Sequence, residues 1–179
     1  MKNKKINVKI LFGILLLLVV FFGAFIIYNE NILNSGETIY LKTTPVDPRD
    51  LLRGDYVILS YEIADDSRTR NLIIDENLSN FDSIYFILEK DENEVGYLKE
   101  VRTTKPEGVL YLKGLVDLSS ETRTSVELGI GKYFIPEGRG YEVERLRGEL
   151  EVLVSIGNYG AARIKHISHN NTIIDFKNK

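Results

Sequence analysis

Apolar and polar side chains divide this chain into two unequal parts. Ile10 to Tyr28 is a run of nineteen residues with no charged side chain. As a helix rising 1.5 Å per residue it extends about 28 Å, the hydrocarbon thickness of a bilayer. Lys2, Lys4, Lys5 and Lys9 precede the run, and Asn29, Glu30 and Asn31 follow it. By the positive-inside rule residues 1–9 form a cytoplasmic basic tail, residues 10–28 a transmembrane helix in the lipid bilayer, and the rest is exported. A cleaved signal has a shorter apolar core and a small-x-small site, which Phe25-Ile26-Ile27-Tyr28 does not supply. A helix packed in a soluble core keeps a polar face, and this run has none. It reads as an uncleaved anchor. Residues 29–36 read as a polar tether, and 37–179 as one extracytoplasmic β-rich domain.

Beyond the tether the period changes to two. Thr38–Thr43 alternates and predicts a first strand, and Tyr56–Ile63 predicts a second with a buried face. Leu72-Ile73-Ile74 is too short to assign to helix or strand. Ser83–Glu89 and Val95–Val101 flank a polar turn and predict a hairpin. Val109–Val116 is a further strand, and Ser125–Phe134 is extended with breaks at Gly129 and Gly131. Tyr141–Arg147 predicts two helical turns ended by Gly148. Leu150–Ile156 and Ala161–Ile167 form a last hairpin around Gly157-Asn158-Tyr159-Gly160, and Thr172–Phe176 closes the sheet. The fold class is mainly β: a β-sandwich or distorted barrel of about eight short strands with one or two short helices, preceded by one N-terminal transmembrane helix.

Composition narrows the partners. Without the four leading lysines, 23 basic residues become 19 against 26 acidic, a net charge of −7. A mildly acidic surface without a basic patch disfavours nucleic acid as a partner. The chain has no cysteine. That excludes a lipid-modified N-terminus and a disulfide staple, so the domain is held by packing.

Two polar corners interrupt the alternation. Pro45–Asp55 gathers Asp47, Arg49, Asp50, Arg53, Gly54 and Asp55 immediately before the strand that begins at Tyr56. Pro136-Glu137-Gly138 is the second. Loop side chains positioned by a rigid strand are natural binding elements. The run Gly54-Asp55-Tyr56-Val57-Ile58-Leu59-Ser60-Tyr61 has the pattern Gly-Asp-Tyr-x-x-Leu-x-Tyr. It resembles the signature of the GDYXXLXY family, bacterial membrane-anchored proteins of uncharacterised function. The likeness extends to Val46–Arg53 and to Tyr133–Gly138. Members of that family are typically encoded beside, or fused to, multi-spanning membrane proteins. The resemblance therefore implies a multi-spanning membrane protein as partner, and implies no catalytic residue.

The corners offer little chemistry of their own. Asp47, Asp50 and Asp55, joined by Glu137 if the corners meet, would suit Ca²⁺ or acid–base work. The spacings match no EF-hand loop, and Arg49 and Arg53 are interleaved with the carboxylates. A hydrogen-bonded structural or binding corner that includes Tyr56, Tyr61 and Gly138 is the stronger reading, with no metal or cofactor. Arg53-Gly54-Asp55 leads straight into an apolar strand and lacks the loop tip that an integrin-type tripeptide needs. His166 and His169, three apart on a strand, point to opposite faces and make a poor zinc pair. Asn77-Leu78-Ser79 and Asn170-Asn171-Thr172 match glycosylation acceptors that matter only in a eukaryotic secretory route. The tyrosines fall mostly on strands, where core packing is the default.

One enzyme reading stands as the alternative. Pro48 to Val57, followed by Tyr97–Val101, resembles the strand pattern of membrane-anchored signal peptidases, with Lys99 in the position of the base. Thr43, Thr44, Pro45, Val46 and Asp47 precede Pro48, so no serine supplies the attacking atom. A degenerate or unorthodox signal-peptidase-like hydrolase is the rival; an accessory or interaction module is the first reading, not an enzyme. The lysine asymmetry predicts that a reporter fused to the C-terminus is active on the export side of the membrane. Activity in the cytoplasm would reverse the topology.

Overall fold

A computed structural model describes residues 8–44, 56–120, 123–136, 150–169 and 172–174. The apolar run lies within α1 (Val8–Ser35), a helix long and apolar enough to cross a membrane. At 1.5 Å per residue its 28 residues extend about 42 Å. The expected tether is not a loop: residues 29–35 continue the helix as two polar turns. Tertiary bonds hold them there. The Asn29 side-chain oxygen accepts from Arg163 Nε at 2.7 Å and also from Arg163 Nη2. Buried Ser155 donates its hydroxyl to the Ile32 carbonyl at 2.6 Å, a second bond on an oxygen that already accepts from Gly36 N at 3.0 Å. Ile32 itself is buried, whereas the apolar side chains from Ile10 to Tyr28 are exposed.

The rest is mainly β, with eleven strands in three sheets among the described residues. The first sheet has the order β11 (Thr172–Ile173), β10 (Ala162–His169), β9 (Leu150–Ile156), β1 (Glu37–Thr44), β3 (Ser60–Tyr61). The second pairs β2 (Tyr56–Ile58) with β8 (Lys132–Phe134). The third runs β5 (Gly96–Arg102), β4 (Ser83–Lys90), β6 (Tyr111–Ser120), β7 (Arg123–Glu127). Every strand-to-strand ladder is antiparallel. A single parallel bridge, Tyr40 to Val95, joins β1 to the start of β5, with Tyr40 N donating to Glu94 O at 3.0 Å. That stitch joins the first sheet to the edge strand of the third.

The strand count exceeds eight because two predicted strands each break. Tyr56–Ile63 keeps its alternation, with Val57, Leu59, Tyr61 and Ile63 buried, but Leu59 separates β2 from β3. Ser125–Phe134 divides into β7 and β8 around Gly129, whose φ of 70° is in the left-handed region. Leu72-Ile73-Ile74 belongs to α2 (Ser67–Asp75). Asp66 caps it by accepting from Arg68 N at 2.8 Å. The Arg68 guanidinium also reaches the Leu98 and Lys99 carbonyls of β5, fastening the helix to the sheet. Its hydrogen bond to Asp66 holds that carboxyl below the usual carboxylate range. The helix expected at Tyr141–Arg147 lies outside the described residues.

One core serves the assembly. Ile39, Leu41, Val152, Val154 and Ile167 of the first sheet meet Ile84, Phe86, Leu88, Leu112 and Val116 of the third. The signature strand contributes Val57, Leu59 and Tyr61 to the same cluster.

Gly36 joins helix to sheet where no side chain fits. A Cβ there would lie 2.5 Å from Ser155 Oγ, 2.6 Å from Ile32 O and 2.8 Å from Ile156 O. Gly36→Ala is therefore predicted to cost about 1–3 kcal/mol by overpacking. Thermal unfolding of the detergent-solubilised full chain checks it, and an unchanged melting temperature would refute it.

Candidate functional site

β2 begins at Tyr56, directly after the first polar corner, and β8 ends at Phe134, two residues before Pro136. The ladder sets Tyr56 opposite Phe134, Val57 opposite Tyr133 and Ile58 opposite Lys132. Leu59 N donates to Gly131 O at 2.9 Å and carries the contact one step further. The chain segments that hold the two predicted corners therefore leave from neighbouring ends of one ribbon. Asp47, Arg49, Asp50, Arg53, Gly54, Asp55, Glu137 and Gly138 lie outside the described residues. Of the predicted site, Tyr56 and Tyr61 are described, and they have different roles.

Tyr56 is half-buried on the ribbon surface. Its ring meets Phe134 edge-to-face, with centroids 6.2 Å apart and planes at 61°. Lys132 Nζ stands 5.5 Å from the Tyr56 centroid, a cation–π contact. Phe134 is 77% exposed, unusual for a phenylalanine on a paired strand. Ile135 is buried, which pins the ribbon at its root. Sequence reasoning did not single out Phe134 or Lys132. The signal was there: with Tyr133 and Ile135 facing the core, alternation turns Lys132 and Phe134 to solvent.

Tyr61 lies in the core, 2% exposed, and its hydroxyl donates to Ile130 O at 2.8 Å. Burial pushes its phenol well above the usual tyrosine range, so it stays a donor at every physiological pH. Because β3 pairs with β1 and Ile130 precedes β8, this one bond ties the first sheet to the ribbon.

Lys99, the base of the alternative enzyme reading, is exposed on β5 and ion-paired to Glu89 of β4. Glu89 also accepts from Tyr97 Oη at 2.9 Å. The hydrogen bond to Glu89 pushes the Lys99 ammonium above the usual lysine range, and the same bond pulls the Glu89 carboxyl down. A lysine acting as base needs the opposite shift, toward the neutral amine. His166 packs edge-on to Tyr40, with centroids 6.1 Å apart, and burial lowers its pKa.

The architecture defines a class: a single apolar helix rigidly joined to a mainly-β domain that presents an aromatic ribbon at one end. The GDYXXLXY protein family matches residues 18–167, and the chain belongs to it. No curated protein and no solved structure matches the chain. Within the family's signature, Leu59 and Tyr61 fill the core and Tyr56 faces the ribbon surface.

Tyr61→Phe leaves the buried Ile130 carbonyl without its donor. The expected loss is about 1–3 kcal/mol, or on the order of 2–10 °C in melting temperature for a domain of this size. Calorimetry of the full chain checks it, and wild-type melting would remove Tyr61 as a strut.

Proposed function

We propose that the protein is a membrane-anchored interaction module. Its helix spans the cell membrane once with the N-terminus cytoplasmic, and its β domain outside serves as an accessory to a multi-spanning membrane protein. The observation that carries this reading is the exposed Phe134 against half-buried Tyr56, beside Lys132, on a ribbon whose strands adjoin both polar corners in sequence. Exposed aromatics flanked by charge are the side chains that carry most energy in protein contacts, because they bury much area at little entropic cost.

Position adds to the argument. β1 starts at the helix junction and runs for seven residue steps, about 23 Å, before Thr44 pairs with Ser60 of β3. The ribbon lies past that point. A partner touching it does so through a loop or domain that projects from the bilayer. No catalytic role is proposed. The hydrolase alternative draws no support from Lys99, whose ammonium is committed to Glu89.

A photo-crosslinking residue at Phe134 in the full chain, expressed in native membranes, tests the reading. The expected adduct contains a multi-spanning membrane protein and is absent when the probe replaces Tyr97, an exposed tyrosine on β5. Equal crosslinking from both positions, or none from Phe134, would overturn it.

A further inference from the structure

The end of the domain opposite the ribbon carries its own exposed side chains, and their height is fixed by one bond. Asn29 is the first residue after the apolar run, and its side-chain oxygen accepts twice from the Arg163 guanidinium. Arg163 is the second residue of β10, so the start of that strand sits where the apolar part of α1 stops. The turn before it is rigid. Gly157 N donates to Ala161 O and Gly160 N to Gly157 O, each at 2.9 Å, with Gly160 at φ 73°. Tyr111 Oη donates to Asn158 O at 3.2 Å and Lys113 N to Gly160 O at 2.9 Å, which clamps the turn to β6.

At the tip of this turn Tyr159 is 65% exposed, with Lys105 Nζ 5.0 Å from its ring centroid. Val109, on the same loop as Lys105, is also exposed. These loops and Ser35–Glu37 at the helix end border an open groove of about 640 Å³. Tyrosine, lysine and arginine combine an apolar body with a polar tip, the side-chain type that favours the membrane–water interface. Glu37 is ion-paired to Lys90 at 2.9 Å and Glu107 lines the groove with Lys105, so acidic and basic side chains are mixed here and the surface suits zwitterionic headgroups rather than an anionic lipid.

We propose that this end of the domain rests in the phospholipid headgroup layer, with Tyr159, Val109 and Lys105 touching lipid. The proposal rests on the reading that α1 spans the bilayer. The chain has no cysteine, so single-cysteine labelling of the full chain is direct. Tyr159→Cys, Val109→Cys, Phe134→Cys and Phe25→Cys, each bearing a small fluorophore, are reconstituted into phosphatidylcholine vesicles. Folding is verified by circular dichroism. A headgroup-linked nitroxide lipid is expected to quench the labels at 159 and 109 about threefold more strongly than the label at 134. Quenching at 159 and 109 no greater than at 134 overturns the proposal. If an acyl-chain nitroxide still quenches the label at 25, the membrane span stands and the headgroup contact alone has failed. If the label at 25 is untouched, both fall.

Discussion

The hydroxyl of Ser155 and the guanidinium of Arg163 decide what kind of molecule this is. Together they hold the last two turns of α1 against the ends of β9 and β10, across 123 and 134 residues of intervening sequence. A helix end leaves carbonyls without partners. Here the Ile32 carbonyl accepts both from Gly36 N and from the buried Ser155 hydroxyl of the domain, and Gly36 leaves the space in which that hydroxyl sits. An anchor attached through a loose tether would let the domain tumble above its attachment point. An anchor that ends inside the domain's own hydrogen-bond network fixes which loops face back along the helix and which strands point away.

The same constraint explains why residues 29–35 are helical. Asn29, Asn31, Asn34 and Ser35 are weak helix formers, and beside them Glu30 gives local propensity little reason to continue the helix. Their partners lie on the final hairpin, and such distant bonds leave no trace in a local pattern. By contrast, the elements that depend on alternation were legible: β1, the β4–β5 and β9–β10 hairpins, and the buried parity of Val57, Leu59, Tyr61 and Ile63. Alternation reports which face is buried, not which neighbour a strand pairs with, so the break at Leu59 was hidden. α2 was ambiguous because its apolar triplet is short, and the Asp66 cap that starts it sits among other turn-forming residues. For the candidate site, the sequence marked Tyr56 and the two roots of the ribbon. It did not mark Phe134, whose exposure follows from the pairing of β2 with β8.

The signature Gly-Asp-Tyr-x-x-Leu-x-Tyr thus divides into parts with different physical duties. Leu59 and Tyr61 point into the core, and the Tyr61 phenol, kept protonated by burial, spans from β3 to the strand-connecting segment at Ile130. Tyr56 has the opposite parity and stays half-exposed against Phe134 and Lys132. A pattern spaced for packing would place all of its large side chains on one face. Placing Tyr56 on the other face, paired with a largely exposed phenylalanine, leaves apolar area in water that packing within the chain does not require.

The charged groups point the same way. Lys99, Glu89, Glu100 and Arg102 form neighbouring pairs on the outer face of β4 and β5, all exposed. Pairs of this kind contribute little to stability and are screened by salt. Their shifts are the mutual ones of paired ions, with acids lowered and bases raised, so each group is more firmly charged than it would be alone. General acid–base work needs groups moved toward neutrality near pH 7. The described charged residues of this outer face therefore behave as a solvated sheet surface. Two features beyond this surface pair an aromatic ring with a lysine: half-buried Tyr56 with Lys132, and exposed Tyr159 with Lys105. A domain hydrogen-bonded to its helix through Asn29 and Ile32 holds these two aromatic–lysine pairs at set positions relative to that helix.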